Sequence, residues 1–240
     1  MSRVAVVTGG TRGIGKAISA RLHAEGHRVT ALYASHDAEA EQLRAETGVA
    51  VFKCDVSTYD QCENAIRAIE QRDGPVEILV NNAGAAHDVS LHRMSVEDWD
   101  SILRIDLYSI FNMSRQVVGG MRDRRFGRIV NISSVNGQKG QFGQTNYCAA
   151  KAGILGFTKA LALESARHGV TVNAIAPGYI DTAMMAAVPP DVLAKIVETI
   201  PVGRLGRPED IARCVSFLTA DEADFITGAT LSANGGQHMA

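Results

Sequence analysis

Short apolar, β-branched runs alternate with segments of helical period along almost the whole chain, and this alternation limits the possible folds more than any other feature. The strand-like runs are Val4–Thr8, Arg28–Tyr33, Val49–Cys54, Ile78–Asn81, Arg128–Ile132 and Thr171–Ala176, with a short last one at Ala229–Leu231. Helical patterns fall between them at Gly15–Glu25, Asp37–Glu46, Tyr59–Arg72, Val96–Met113, Tyr147–His168 and Pro208–Leu218. Continuous runs such as VAVV and ILV have no polar face, so both sides of these strands need cover, as in a parallel sheet flanked by helices. Repeated β-α-β units with right-handed crossovers then predict an α/β, doubly wound parallel sheet of about seven strands with helices on both faces.

The 240 residues read as one domain, residues 1–240, without a linker or low-complexity tract. One stretch breaks the rhythm: Thr182–Leu205 is apolar and punctuated by prolines. A long insertion after a late strand predicts a lid over the ligand cleft at 182–205, with a surface helix pair as the alternative. A net charge of -2 argues against a general nucleic-acid or membrane-surface binder. No apolar run approaches the roughly 18–20 residues that span a bilayer. The N-terminus enters an apolar strand at once, without a signal-peptide layout. None of the four cysteines falls in a C-x-x-C pair, and the seven histidines are scattered without ligand spacing. No metal and a reduced, cytoplasmic setting are the expectations.

Between the first strand and the first helix lies TGGTRGIG, residues 8–15. Gly9, Gly13 and Gly15 allow a tight turn and close approach of a diphosphate to backbone N–H groups at a helix N-terminus. In a β-α-β unit this predicts a dinucleotide site and a Rossmann-type sheet. An NAD site usually places a carboxylate at the end of the second strand, where it binds the ribose 2′-OH. This chain has Tyr33, Ala34 and Ser35 there, while Asp37 suits the start of the next helix. Arg12 could meet a 2′-phosphate, or stand as a solvated loop cation. NADPH is therefore expected over NADH.

Tyr147 and Lys151 are four residues apart on a predicted helix and share one face. A free tyrosine has a pKa near ~10, and a neighbouring ammonium favours the phenolate, as a general acid/base for carbonyl–alcohol interconversion requires. Alone, such a spacing also describes many exposed pairs. Ser134 alters the balance, since it follows the strand ending near Ile132, at the edge where open α/β sheets bind ligands. Its hydroxyl could hold a substrate carbonyl while Tyr147 delivers the proton. Cys148 adjoins the tyrosine but points about 100° away on a helix.

Together TGGTRGIG, Asp55–Val56, NNAG at 81–84, Ser134, YCAAK at 147–151 and PGYIDT at 177–182 resemble the short-chain dehydrogenases/reductases in order and spacing, over essentially the whole chain. The resemblance implies that Gly9, Thr11, Arg12, Gly13, Ile14 and Gly15 form the cofactor-binding loop. It implies that Asp55 and Val56 flank the adenine, and that Asn82, Ala83 and Gly84 form the floor under its ribose. It further implies that Lys151 bonds the nicotinamide ribose beside Tyr147, while Pro177, Gly178, Ile180 and Thr182 border the carboxamide. The catalytic serine lies thirteen residues before the tyrosine in the family, which selects Ser134 over Ser133. One position departs: where the family has asparagine in N-L-x-x-x-F, this chain reads Asp106-Leu-Tyr-Ser-Ile-Phe111. The family residue supports a water-linked proton path to the lysine, largely through its backbone carbonyl. Aspartate keeps that carbonyl, so activity is expected to survive, while its carboxylate is expected to raise the lysine pKa.

The segment SVNGQKGQFGQTNY (134–147) is similar to the acetoacetyl-CoA reductase branch of that family, as are IPVGRLG (200–206) and NGGQHM (234–239). The likeness implies reduction of acetoacetyl-CoA to (R)-3-hydroxybutyryl-CoA in polyhydroxybutyrate synthesis. It names Asp88, Gln141, Phe142, Gln144 and Tyr179 as acyl and pantetheine contacts. Amides and one apolar ring also suit a neutral pantetheine arm. The segment after NNAG is AAHD, where the branch commonly shows I-T-R-D, so a basic residue is lost on the CoA side, with Arg93 nearby. The alternative is a 3-oxoacyl-acyl-carrier-protein reductase, which would need a basic docking face. Arg122, Arg124, Arg125 and Arg128 form the dense cationic run, which suits an acidic carrier, CoA phosphates or a solvated helix end equally. A cofactor-sensing protein of the same fold would typically lack the tyrosine or the lysine. The family also implies a homotetramer, packed through helices around 96–113 and 147–168.

Overall fold

The computed structural model describes residues 2–186 and 188–239. Seven strands form one sheet: β1 (Val4–Thr8), β2 (Arg28–Tyr33), β3 (Ala50–Lys53), β4 (Ile78–Asn81), β5 (Gly127–Ile132), β6 (Val170–Pro177) and β7 (Thr230–Ala233). Their order is β3-β2-β1-β4-β5-β6-β7, and each neighbouring pair is parallel. The order reverses between β1 and β4, which places the ligand crevice at the carboxyl ends of those strands.

Side-chain alternation within the apolar runs builds two cores. Val4 and Val6 join Leu79, Met113, Ile129 and Val172 on one face, while Ala5 and Val7 join Ile18, Leu22, Val80 and Ile175 on the other. A run such as VAVV is apolar throughout because each successive residue serves a different core. One face carries α1 (Gly13–Ala24) against α10 (Pro208–Thr219), with α2 (Asp37–Thr47) beside α1. The other carries α3 (Tyr59–Asp73), α5 (Ser109–Arg124) and α7 (Thr145–Ser165).

Two differences from the expected elements matter for the site. The helix expected over 96–113 is divided into α4 (Val96–Leu103), a π-helical turn (Arg104–Tyr108) and α5, which runs on to Arg124. It continues through Gly119 and Gly120, each costing about 1 kcal/mol relative to alanine, because Val117 and Met121 are buried. Met121 packs over Gly127, where an added Cβ would lie 2.6 Å from its sulfur. The segment 182–205 holds two helices, α8 (Ala183–Ala186) and α9 (Pro190–Glu198); Ala187 lies outside the described residues. The short α6 (Val135–Lys139) has no apolar period of its own to announce it.

Candidate active site

Thr8, the last residue of β1, ties the first and fourth strand ends together. Its hydroxyl oxygen accepts the backbone N–H groups of Asn82 and Ala83, both at 2.9 Å, and the Asn82 amide donates to the carbonyls of Thr8 and Gly9. The chain then turns at Gly9 (φ 58°) and Gly13 (φ 51°), the left-handed region that favours glycine. At Gly15 the constraint is space: a Cβ would lie 2.1 Å from the Gly9 carbonyl oxygen. Helix α1 starts at Gly13 with no side-chain cap and no acid in its first turn. Its N–H groups and positive dipole end are thus open to an anion. Thr182 overlies this turn, 3.5 Å from a Cβ placed on Gly13.

At the end of β2 the Arg12 guanidinium lies 3.4 Å from His36 Nε2, and Ser35 Oγ is 2.8 Å from His36 Nδ1. His36 takes a left-handed conformation (φ 71°) that turns the chain into α2. Asp37 opens α2 and pairs with Lys53 at 3.0 Å. The lysine bond, and then one from Tyr33, hold its carboxyl below the usual range. This carboxylate is therefore engaged with the edge strand. At the end of β3, Asp55 is turned back onto Ser57, accepting both its N–H and its hydroxyl. The Val56 carbonyl accepts from Asn112 Nδ2 on α5 at 3.0 Å. Neither His36 nor Asn112 carries a motif that sequence reasoning could have used.

The ends of β5 and α7 meet at a second cluster. Ser133 is tied inward: its N–H donates to the Ile175 carbonyl and its hydroxyl to the Lys151 carbonyl, each at 2.7 Å. Ser134 begins α6 as its N-cap, and its Oγ accepts the Asn136 N–H at 3.1 Å, leaving the hydroxyl proton uncommitted in that bond. Helices α6 and α7 approach closely because Gly137 has no side chain; a Cβ there would sit 2.7 Å from the Lys151 carbonyl carbon. Asn146, wholly buried, donates to the carbonyls of His87 and Asp98 and accepts the Tyr147 N–H. It anchors the start of α7 to the loop after β4.

Lys151 Nζ lies 5.4 Å from the centre of the Tyr147 ring and donates to the Ile132 carbonyl at 3.2 Å. It also sits 3.0 Å from Asp106 Oδ2, with side chains 5% and 0% exposed. That contact is ionic and lacks hydrogen-bond alignment, since Oδ2 has no hydrogen-bond partner. Asp106 Oδ1 accepts the Ala85 N–H at 2.8 Å. Asp106 is carried by the π turn, whose wider repeat separates it from the regular frames of α4 and α5. Gly84 closes the other side; a Cβ there would stand 3.1 Å from both Lys151 Nζ and Asp106 Oδ2. Burial pushes the lysine pKa down, but the Asp106 carboxylate and then the Tyr147 oxygen more than offset it, so the net direction is upward.

Beneath this cluster, Asn81 and Asn131 stand opposite each other on β4 and β5. The Asn81 amide donates to Asn131 at 2.8 Å, and Asn131 donates to Thr158 on α7. The loop before α7 is tied down in turn. Asn136 donates to the Gln144 amide oxygen, Gln144 donates to Asp88 at 2.8 Å, and Val89 N–H donates to the Gly143 carbonyl. Phe142 projects from this loop, 89% exposed, beside the exposed Gln141. Tyr179 is half-buried; burial first, and then the Asp88 carboxylate, raise its phenol pKa. Beside it a cavity of about 310 Å³ runs between Ile200, Val202, Arg204 and Asn234. There the segments 200–206 and 234–239 meet, with Val202 N–H bonded to the Gly235 carbonyl.

Residues 9–238 match the family model described as Enoyl-(Acyl carrier protein) reductase, a model of short-chain dehydrogenases/reductases. The chain belongs to the short-chain dehydrogenase/reductase family. It is 59% identical over 238 residues to an acetoacetyl-CoA reductase of Shinella zoogloeoides, covering 99% of each chain. It is 58% identical over 241 residues, the full length of both chains, to an acetoacetyl-CoA reductase of Rhizobium meliloti. A 3-oxoacyl-[acyl-carrier-protein] reductase of Haemophilus influenzae is 43% identical over 239 residues, 99% of this chain and 98% of the relative.

A short-chain dehydrogenase/reductase is an oxidoreductase with a nicotinamide cofactor, and the residues here fit one. The glycine turn leaves backbone N–H groups bare beneath the uncapped α1, and the missing side chain of Gly84 opens space beside Lys151. Gly15→Ala provides a test of the turn. A Cβ forced against backbone should cost about 1–3 kcal/mol and displace the diphosphate cradle. Thermal unfolding should show a lowered Tm, with cofactor affinity reduced by at least about tenfold; unchanged cofactor binding would show that the turn is not the cradle.

Proposed function

We propose that this chain is an NADPH-dependent acetoacetyl-CoA reductase forming (R)-3-hydroxybutyryl-CoA. The observation that carries this reading is Lys151 at 5.4 Å from the Tyr147 ring, with Ser134 capping the short helix α6 that packs on this part of α7 and the tied loop 140–144 between α6 and α7. Full-length identity to reductases of that name supports the same substrate. When bound, the cofactor supplies the hydride to the C3 carbonyl carbon. Ser134 donates a hydrogen bond to the carbonyl oxygen, and Tyr147 gives that oxygen its proton as the C–O bond becomes an alcohol. Lys151 would hold the nicotinamide ribose and keeps a positive charge beside the tyrosine. Asp106 fixes the lysine from behind.

Gly9, Thr11, Gly13, Ile14 and Gly15 would hold the diphosphate region, Asp55 and Val56 the adenine, and Asn82, Ala83 and Gly84 its ribose. Pro177, Gly178, Ile180 and Thr182 would border the carboxamide, with 182–205 closing as a lid. Arg12 and His36 at the end of β2 favour a 2′-phosphate, because Asp37 is already paired with Lys53. Asp88, Gln141, Phe142, Gln144 and Tyr179 would line the acyl and pantetheine path. Among the described residues no helix is long and apolar enough to cross a membrane, and a cytoplasmic homotetramer fits the biosynthetic relatives.

A carrier-protein reductase shares this chemistry, and the Haemophilus relative keeps that reading open. The arginine run does not decide between them: Arg128 stands near the start of β5, the opposite end of the strand from Ser134. Comparing kcat/KM for acetoacetyl-CoA and acetoacetyl carrier protein, each with NADPH and NADH, tests both choices. At least a tenfold preference for CoA and for NADPH is expected, about 1.4 kcal/mol each. A preference for the carrier substrate would replace the first assignment, and one for NADH would remove the role given to Arg12.

A further inference from the structure

Asparagine is a poor choice for a buried helical position, because its amide competes with the backbone and needs partners of its own. Asn136 on α6 is nonetheless 7% exposed. Its backbone N–H donates to the Ser134 hydroxyl oxygen at 3.1 Å, and its carbonyl accepts the Gly140 N–H at 3.0 Å. Those two bonds belong to the backbone and do not depend on the side chain. The side chain reaches elsewhere. Its Nδ2 donates to Gln144 Oε1 at 2.9 Å, across the loop that joins α6 to α7.

Gln144 donates in turn from Nε2 to Asp88 Oδ1 at 2.8 Å, and this second bond fixes the direction of the first. An ionised carboxylate only accepts, so Gln144 must present its NH2 end to Asp88. Its carbonyl end is left for Asn136, which must meet it with an NH2 group. The run therefore has one polarity, from Asn136 through Gln144 to Asp88, set by the charge at its far end. Asn136 Oδ1 bears the consequence: it is buried and has no hydrogen-bond partner among the described residues. A bare buried acceptor costs free energy that an apolar side chain of similar shape would avoid. Stability thus gives no reason for an asparagine here, whereas the orientation of Gln144 does.

The backbone around Gln144 is held as well. Val89 N–H donates to the Gly143 carbonyl and Cys148 N–H to the Gln144 carbonyl, each at 2.8 Å. What remains free is rotation of the Gln144 amide, and Asn136 and Asp88 remove it. Asn136 is buried and Asp88 exposed, so the amide carries its N–H end on the exposed side. An NH2 group has two hydrogens, of which Asp88 takes one.

We propose that Asn136 is a positioning residue for the thioester substrate: with Asp88 it holds Gln144 as an N–H donor to a carbonyl oxygen of the pantetheine arm. The proposal rests on the reading of Gln144 as a substrate contact. Asn136 acts through Gln144, and its side chain takes no part in proton or hydride transfer.

Steady-state kinetics with acetoacetyl-CoA and saturating NADPH, at mildly alkaline pH, test the proposal. Asn136→Leu should raise KM about fivefold, the scale of one neutral hydrogen bond, with kcat within about twofold. NADPH affinity by fluorescence titration should be unchanged within about twofold. The Tm should not fall, because leucine removes the bare acceptor together with the donor. Asn136→Ser, whose hydroxyl is one atom short of Gln144, should give the same split and serves if the leucine variant fails to fold. Gln144→Leu should raise KM at least as far, and adding Asn136→Leu to it should change KM by less than about 1.5-fold, since both act through one bond. Gln144→Glu, which has no N–H to offer, should match Gln144→Leu. An unchanged KM in Gln144→Leu removes the substrate reading and the proposal with it. A raised KM there, with an unchanged KM in both Asn136 variants or additive effects in the double variant, overturns the proposal alone. So does a loss confined to kcat in the Asn136 variants, or a wild-type KM in Gln144→Glu.

Discussion

Tyr147→Phe is expected to lower kcat/KM for acetoacetyl-CoA by about 100- to 10,000-fold, the range supplied by a positioned general acid. The substitution removes one oxygen and keeps the ring over which Lys151 lies. Cofactor affinity, followed by fluorescence titration, should change little, because the glycine turn and the lysine are untouched. The loss should therefore appear in kcat. A fall of less than fivefold would transfer proton delivery to another group. Ser134→Ala should act on the same step more weakly, since a neutral hydrogen bond to the carbonyl oxygen contributes less than the proton itself.

Asp106 carries the second large effect. Replacing it with leucine strands the Lys151 ammonium in a site that is 5% exposed. Breaking one partner out of a buried ion pair costs about 3–5 kcal/mol, to be read as a shift in the denaturation midpoint. Asp106→Asn is milder, because an amide oxygen can still accept the Ala85 N–H while the charge is removed. The two variants separate packing from electrostatics. In the wild type the folded lysine pKa lies above the ordinary 10.5. Its stabilising contribution is therefore complete below that value and lost as pH rises through the folded pKa. In Asp106→Asn burial acts without the carboxylate and pushes the lysine down, so the sign reverses and stability should rise with pH below 10.5. Chemical denaturation between neutral and alkaline pH would show the crossing. Parallel curves for the two proteins would mean that the carboxylate does not set the lysine charge.

Much of this architecture is legible in the chain because it rests on local periodicity. β1, β2 and β4 begin and end where the apolar runs do, since strands buried on both faces leave no ambiguity of register or face. The glycine turn was equally readable, because only glycine tolerates Gly9 and Gly13 at positive φ and only a missing Cβ fits at Gly15. Helix limits were less legible. The helix expected to end at Met113 runs on through Gly119 and Gly120 because Met121 is buried, and a π turn has no composition by which to find it. His36, Asn112 and Asn146 were invisible for a similar reason. Each works through a hydrogen bond to a residue of another loop or element, or a backbone conformation no motif encodes.

The sequence by itself determined the sheet, the dinucleotide turn and the pairing of Tyr147 with Lys151, because these depend on spacings of two, four and a few residues. Only the tertiary structure decided which serine is tied inward, since the two follow β5 in succession and Ser133 meets the Lys151 carbonyl while Ser134 caps α6. It also decided that Asp106 faces that lysine as a buried counter-ion, and that the arginine run lies around the end of α5 and the start of β5, at the opposite end of that strand from Ser134. These are long-range matters of charge and direction. A residue's chemistry is written in its side chain, but its partner is set by how distant segments pack, and burial turns an ordinary carboxylate or guanidinium into one that must be paired.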